Sequence, residues 1–549
     1  MRVAFLGLDI PAGARIVKSE QFGDWYRDPW GWPESTPDFA STLTPRDLGV
    51  VKDGTKYVYD VTPDFHRFDV PKSFLGIRPA VVQDVRTRLA YTTASLHLAR
   101  TLHADLPEWV FGWRMRDGDY GRSREWELYR DSQSEIRNQS WAAQTDINSF
   151  FASINATRLL ERIVERIGGE NTSTSILRAV FEAHNLLHGR SGIPQRSAAS
   201  AMLAHTALRQ VDDLLASLKQ DGKITAARRW MDDISFEGPE HALYGALLQL
   251  QQSCRQEGLE VNALKTLLIS GDESAERLQD EAQGLIKLPT TTSTVTNDYE
   301  EFEMTYVDVS ALKAAEAEVL AAPQRSPRSK VGIVLKSLIR YEEFTRVAEW
   351  MAASQYLPHA ADKVGRFLAA ANRDSFWGLD LAGWFIQLHA SAWPHLEWVE
   401  AQYALAVPSD DVDDDMRTVL REWLGASTNL QKVAVAVQRL AASDSVAYRS
   451  VVNARLDAVH DPLLVRLLAL GLLVAGQSRT DVKAALQRYP SNALTLKYLE
   501  ERNWKLPEVS EDFDPSHDDG TDSEEDDDDD VMVAELVEDD PPGRGVTPF

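Results

Sequence analysis

The sequence predicts an α/β domain over residues 61–290, an all-α helical repeat-like domain over 310–507, and a disordered acidic tail over 508–549. Three observations carry this. Short apolar stretches of strand character alternate with helical patterns between 61 and 290. From 310 to 507 nearly every segment repeats apolar residues at helical spacing. Residues 511–549 hold seventeen Asp or Glu and one Arg, including the run Asp526 to Asp530, and such a segment buries too little apolar surface to fold alone. At 549 residues the chain exceeds what one hydrophobic core serves.

Charge and composition narrow the function classes. The tail contributes −16 of the net charge of −26, so the rest of the chain is mildly acidic at −10. That does not exclude a nucleic-acid partner, which needs a local basic channel rather than a basic average. Arg114, Arg116, Arg122 and Arg124 are candidates for part of a channel, or form an ordinary solvated loop. The single cysteine, Cys254, excludes an intramolecular disulfide framework and a cysteine-based zinc site and suggests a reducing cytoplasm. No apolar run is long enough to span a bilayer, and Asp9 and Pro11 interrupt the N-terminal apolar stretch, so neither a membrane anchor nor a signal peptide is expected.

Along the chain, residues 1–60 mix Trp, Pro and charge without periodicity and read as an N-terminal extension. Residues 285–310 read as a connection. Beyond it, helices are expected over Val331 to Glu349, Leu379 to His389, Met416 to Leu424, Leu430 to Ala441 and Leu463 to Ala475, separated by short Pro, Ser, Asp or Gly breaks. Consecutive helices with short connections suggest an α-solenoid or helical array, although no strict sequence repeat is present. In the tail, the apolar island Val531 to Val537 is either plain solvated chain or a segment that docks on a partner or on the protein's own basic channel.

The chemistry centres on Asp232-Asp233, within Arg229-Trp230-Met231-Asp232-Asp233-Ile234-Ser235-Phe236. Adjacent carboxylates repel, and setting them among apolar residues costs several kcal/mol per unpaired charge, on the order given for buried ions. Divalent cations remove that cost. Strand-forming residues on both sides predict a strand, a tight turn carrying the carboxylates, and a second strand. Other acidic pairs lack this setting. Asp212-Asp213 lies beside the helical stripe Leu208, Val211, Leu215 and Leu218 and is expected to be solvated, and Asp410-Asp411 and Asp413-Asp414-Asp415 sit in a loop. Asp146 has the right setting, with Trp141 to Thr145 leading in as a strand and a helix expected from about Ala156. Three carboxylates on two metal ions roughly 3.5–4 Å apart would activate a 3′-hydroxyl and stabilise departing pyrophosphate.

The ordered series Asp146 to Phe151, Gly192-Ile193-Pro194-Gln195, Met231-Asp232-Asp233, and Gly258-Leu259-Glu260-Val261-Asn262 with Lys265-Thr266 resembles the successive palm motifs of reverse transcriptases. Pro71-Lys72 and Arg78-Pro79 are similar to the fingers segment upstream of them. The resemblance covers roughly residues 65–275. It implies a fingers–palm polymerase fold with two Mg²⁺ ions, or Mn²⁺ in their place. Asp146 and Asp232 would be the principal metal ligands and Asp233 the auxiliary one. Phe151 would be the sugar gate favouring deoxynucleotides, or an ordinary core aromatic. Gln195 would contact the template or incoming base pair, Lys265 would protonate pyrophosphate or lie idle at the surface, and Lys72 and Arg78 would clamp the triphosphate.

Two departures stand out. Arg196 follows Pro194-Gln195 where the family usually has Gly, which alters template or primer contacts, and Trp230 replaces the usual Tyr. No retron thumb, maturase, zinc-endonuclease or RNase H segment is recognisable. A palm followed by a helical array resembles the bacterial abortive-infection and defence-associated reverse transcriptases. That resemblance implies phage defence, a noncoding RNA or RNA template as partner, dNTPs as substrates, a DNA product, homo-oligomerisation and, in some members, untemplated or protein-primed synthesis. Two other readings remain open at this point. One is a non-catalytic RNA-binding scaffold. The other is a helical-domain ribonuclease effector, because Arg455 and His460 have the Arg-X4-His spacing of HEPN ribonucleases, though Leu456 stands where those enzymes carry a polar residue.

Overall fold

The computed structural model describes residues 6–20, 25–73, 76–116, 119–120, 125, 127–129, 131–132, 141–270, 290–296, 301–307, 309–373, 377–391 and 395–509. Arg122, Arg124 and all but the first two residues of the acidic tail lie outside the described residues. The chain divides into two compact units. The first comprises Met1–Phe68, Pro79–Ala275 and Asp444–Ser510, and the second Asp69–Arg78, Glu276–Ser443 and Glu511–Phe549.

The first unit is built around a five-stranded sheet of β1 (Val110–Phe111), β2 (Trp141–Thr145), β3 (Ala226–Trp230), β4 (Asp233–Glu237) and β5 (Leu267–Ser270), in the order β5-β2-β4-β3-β1. All pairings are antiparallel except β1 with β3. Ile234 lies opposite Thr145 and Asp233 opposite Trp230, which sets the end of β2 beside the β3–β4 turn. The helices of this unit include α1 (Ile10–Glu20), α2 (Val85–Leu102), α3 (Thr172–Asn185), α4 (Ala198–Ala207), α5 (Arg209–Gln220) and α6 (Glu240–Gln256). Helix α6 packs on β2 and α5, while α2 is buried along most of its length between α1, α3 and α4. Asp84 starts α2 by accepting the Thr87 N–H at 3.0 Å. Gly13 in α1 lies so close to Thr93 in α2 that a Cβ there would collide with the threonine hydroxyl.

Residues 6–20 and 25–60 belong to this core rather than trailing from it. Trp25, Trp30, Trp32 and Phe39 are buried. Asp28 and Glu34 converge on Arg466 of the helix Pro462–Val474, at 2.5 Å from Asp28 and 2.9 and 2.8 Å from the two oxygens of Glu34. The Arg466 guanidinium also lies 4.9 Å from the centre of the Trp32 ring. All three charged groups are buried, so each depends on the others for compensation.

In the second unit the helices Arg328–Arg340, Ala361–Arg373, Glu397–Leu405 and Leu430–Leu440 each pack on the next, starting 33, 36 and 33 residues apart. The array therefore has a structural period that its sequence does not repeat. The stretch expected as one helix from Val331 to Glu349 is two, Arg328–Arg340 and Val347–Ala353. Glu342 turns into the left-handed region at φ 53°, and the Glu343 N–H returns to the Leu338 carbonyl at 2.9 Å, which ends the first helix. Within 285–310, read as a plain connection, Thr290–Thr296 and Glu301–Val307 pair as an antiparallel hairpin. No helix among the described residues is long and apolar enough to cross a membrane.

Candidate active site

The β3–β4 hairpin closes through two residues, Met231 and Asp232, as its strand-forming flanks predict. Met231 adopts φ 50° at the first turn position, where a hairpin of this length ordinarily takes glycine. It is wholly buried, with its side chain beside Gly112. Trp230 packs edge-on against Trp113 and tilted against Tyr129, so the larger indole in place of the expected Tyr fills an aromatic pocket behind the turn. Asp232 is then presented at the turn and Asp233 at the first position of β4.

Asp146 follows β2. Its carbonyl accepts the Asn262 N–H at 2.7 Å, and its Oδ2 lies 3.3 Å from Asn262 Nδ2 and 3.1 Å from Lys265 Nζ. A bridge between Ile147 and Val261, and a hydroxyl contact of 2.8 Å between Thr145 and Thr266, tie the segment 259–266 alongside Asp146. The motif resemblance gives Asn262 no role, and the geometry makes it the polar neighbour of Asp146.

Burial pushes the Asp232 carboxyl well above the usual range, and the charges of Asp146 and Asp233 push it the same way, with Lys265 opposing. Asp146 and Asp233 therefore lie near enough to Asp232 for their charges to act on it. Their donor set, all carboxylate oxygen, suits a hard divalent cation such as Mg²⁺. Among the described residues no three acidic, histidine or cysteine side chains stand as a ready cation cage.

Phe151 is buried in the short helix Phe150–Ser153, 5.3 Å centre to centre from Phe150. Its carbonyl accepts the Ile193 N–H at 3.0 Å. A Cβ on Gly192, at φ 73°, would strike that same carbonyl, so this glycine is required for the close approach. Gln195 is half-buried in the loop that follows. Arg196 takes φ 54°, so the position does use the left-handed conformation that glycine favours, and the arginine adopts it with its guanidinium 5.1 Å from the centre of the Trp25 ring. Beside it, Glu20 accepts the Ala198 N–H at the start of α4. Residues of the N-terminal stretch thus buttress the Gln195 loop.

Lys72 and Arg78 belong to the second unit, at the tip of the hairpin of Phe65–Pro71 and Ile77–Gln83, where the Lys72 N–H bonds to the Gly76 carbonyl at 2.8 Å. Arg78 is buried. Arg114 and Arg116 form neither a solvated loop nor an open basic surface. Arg114 is buried, donating to the carbonyls of Leu106, Pro107 and Val110, and Arg116 is tied to Glu108 and Glu125. Arg455 is half-buried in the last turn of the helix Ser445–Leu456, with His460 exposed beyond it.

The solvated reading of Asp212-Asp213 is overturned at one of its two positions. Asp213 is exposed and paired with Arg209 at 3.1 Å, but Asp212 is fully buried, with both oxygens 2.7 Å from the Arg229 guanidinium. The apolar stripe of α5 is wide enough to take Asp212 inside because Arg229 on β3 supplies the compensating charge. The signal was present in the sequence as an arginine within a strand of buried residues, which must find a partner.

No family model matches the chain, and no curated protein does. Among solved structures, that of telomerase from Candida albicans with a TWJ fragment of telomeric RNA aligns at a TM-score of 0.30 and 11% identity. The alignment covers 69% of this chain and 65% of that one, so the chain spans about two thirds of the telomerase it matches. Likeness at that level assigns no residue a role, and the site rests on its own geometry.

Proposed function

We propose that the chain is a nucleotidyl-transfer polymerase, an RNA-directed DNA polymerase acting at Asp146, Asp232 and Asp233. The observation that carries the reading is the placement of Asp146 after β2 beside the β3–β4 turn that bears Asp232 and Asp233, with Lys265 3.1 Å from Asp146. Carboxylates brought together at one turn repel one another, a cost that a bound divalent cation would relieve. Asp146 and Asp232 would hold Mg²⁺ with Asp233 assisting, and the metal would supply charge neutralisation for the attacking 3′-oxygen and the departing pyrophosphate.

In the transfer, the primer 3′-oxygen forms a bond to the α-phosphorus of a dNTP while the bond to pyrophosphate breaks and the hydroxyl proton leaves to solvent. Lys265 gives a proton from Nζ to the leaving pyrophosphate oxygen. Phe151, fixed from behind by Gly192 and Ile193, excludes a 2′-hydroxyl. Gln195 meets the templating pair. An RNA template or noncoding RNA, a DNA product, homo-oligomeric assembly, untemplated or protein-primed initiation and a role in phage defence are carried into this proposal from the motif resemblance.

The test is incorporation of labelled dNTPs by the wild type and by Asp232→Ala, over RNA, DNA and no template, with Mg²⁺ or Mn²⁺. Incorporation that disappears in the variant supports the reading, and none under any condition sinks it. Plaque counts for cells expressing the two proteins test the defence role.

A further inference from the structure

We infer that Arg229 and Asp212 form a buried positioning pair that sets the Met231–Asp232 turn, and through it the affinity of the aspartates for a divalent cation. The inference rests on the polymerase reading for the identity of the site, and on separate observations for the pair.

Both side chains are wholly excluded from solvent. Arg229 Nε and Nη2 donate to the two oxygens of Asp212 at 2.7 Å each, a bidentate contact that fixes the plane of the guanidinium. That leaves Nη1 with a defined direction, and it donates to the Met231 carbonyl at 2.8 Å. His205 Nδ1 lies 3.3 Å from Nη2, and His205 Nε2 meets the Gly112 carbonyl at 2.5 Å. Burial, joined by the charges of Arg229 and His103, holds His205 well below its usual range, so it stays neutral beside the guanidinium. Asp212 is thus the anion of this cluster, and Arg229 is the member that reaches the turn.

The turn needs such a clamp. Met231 is a non-glycine residue at φ 50°, and a strained conformation persists only where its surroundings over-determine it. Its side chain is held beside Gly112 and its carbonyl by Arg229. A peptide plane clamped at Met231 fixes the direction from which Asp232 leaves the backbone. Neither Arg229 nor Asp212 would touch a metal or a substrate. Their effect passes through the turn.

The experiment uses the full chain and five proteins: wild type, Asp212→Asn, Arg229→Lys, the double variant Asp212→Leu with Arg229→Met, and Asp232→Asn as the reference for a lost ligand. Two quantities are read, the Mg²⁺ concentration giving half-maximal dNTP incorporation and the Mg²⁺ concentration giving half the rise in Tm. Asp212→Asn is expected to stay folded and to need about ten times more Mg²⁺ in both, as removal of a supporting hydrogen bond does at metal sites. Arg229→Lys, which keeps the charge but not the fork, shifts both in the same direction. The apolar double variant removes the buried charges together, so it tests position apart from stability. The inference predicts that its Mg²⁺ requirement is raised even where its metal-free Tm matches wild type. A folded Asp212→Asn or double variant with wild-type Mg²⁺ midpoints overturns it, whatever the polymerase activity. Shifted midpoints of the Tm rise in a protein that incorporates no nucleotide would uphold the pair and sink the polymerase reading instead.

Discussion

Lys265 Nζ lies 3.1 Å from Asp146 Oδ2, a contact between the first and last motifs of the series across 119 residues of chain. The ammonium balances a carboxylate of the site, and under the proposed function it would protonate the departing pyrophosphate. Lys265→Met should therefore lower kcat by about 10²-fold, at the low end for loss of a general acid, with little change in KM for dNTP. Steady-state incorporation kinetics check this.

Asp232 carries a linked prediction for stability. Its folded carboxyl is raised by burial and by its acidic neighbours. The folded state thus favours the protonated form, and stability falls as pH climbs from the ordinary carboxylate range through the raised folded value. Asp232→Asn should raise Tm by roughly 1–2 °C at neutral pH without metal, the shift expected for about 1 kcal/mol in a unit of this size. The gain should shrink as the pH is lowered towards 4. Differential scanning fluorimetry across pH, with EDTA present, measures it.

Phe151 and Gly192 should act on the same property. Phe151→Ala opens space at the sugar, and the preference for dNTP over rNTP should fall on the order of 10- to 100-fold, the range for steric discrimination in an apolar pocket. Gly192→Ala should erode selectivity in the same direction, because its new Cβ displaces the Phe151 carbonyl. Competition of paired dNTPs and rNTPs is the measurement. Unchanged selectivity in Phe151→Ala would return this residue to the core.

Arg466 makes a prediction independent of function. Arg466→Met leaves Asp28 and Glu34 buried without their cation. The cost should be roughly 3–5 kcal/mol, as for breaking other buried pairs. Urea denaturation of the full chain, followed by tryptophan fluorescence, should show the midpoint fall, since Trp25, Trp30 and Trp32 lie in the same core.

How much the sequence disclosed differs by element. The β3–β4 hairpin, the strand into Asp146 and the helix Leu430–Leu440 were legible because each is set by local periodicity and by residues within a few positions. The break after Arg340 was not, because a left-handed Glu342 leaves no mark in apolar spacing. Nor was the division of the helices: the same helical pattern runs through 310–507, yet Asp444–Ser510 groups with the first unit. Arg466 is one reason, since its partners Asp28 and Glu34 lie more than four hundred residues away.

Local sequence sets out the chemistry on offer: three carboxylates, a lysine and an aromatic in a fixed order, with strand-forming residues around the turn. Tertiary structure decided which charges are used up. It took Arg114 and Arg116 into structural contacts and buried Asp212, which helical spacing alone assigned to solvent. It also joined Asp212 to Arg229 beneath Met231. The physical reason is range. Periodicity and turn preference are settled by neighbours along the chain, whereas the cost of burying a charge is settled by whichever residue folding brings to it.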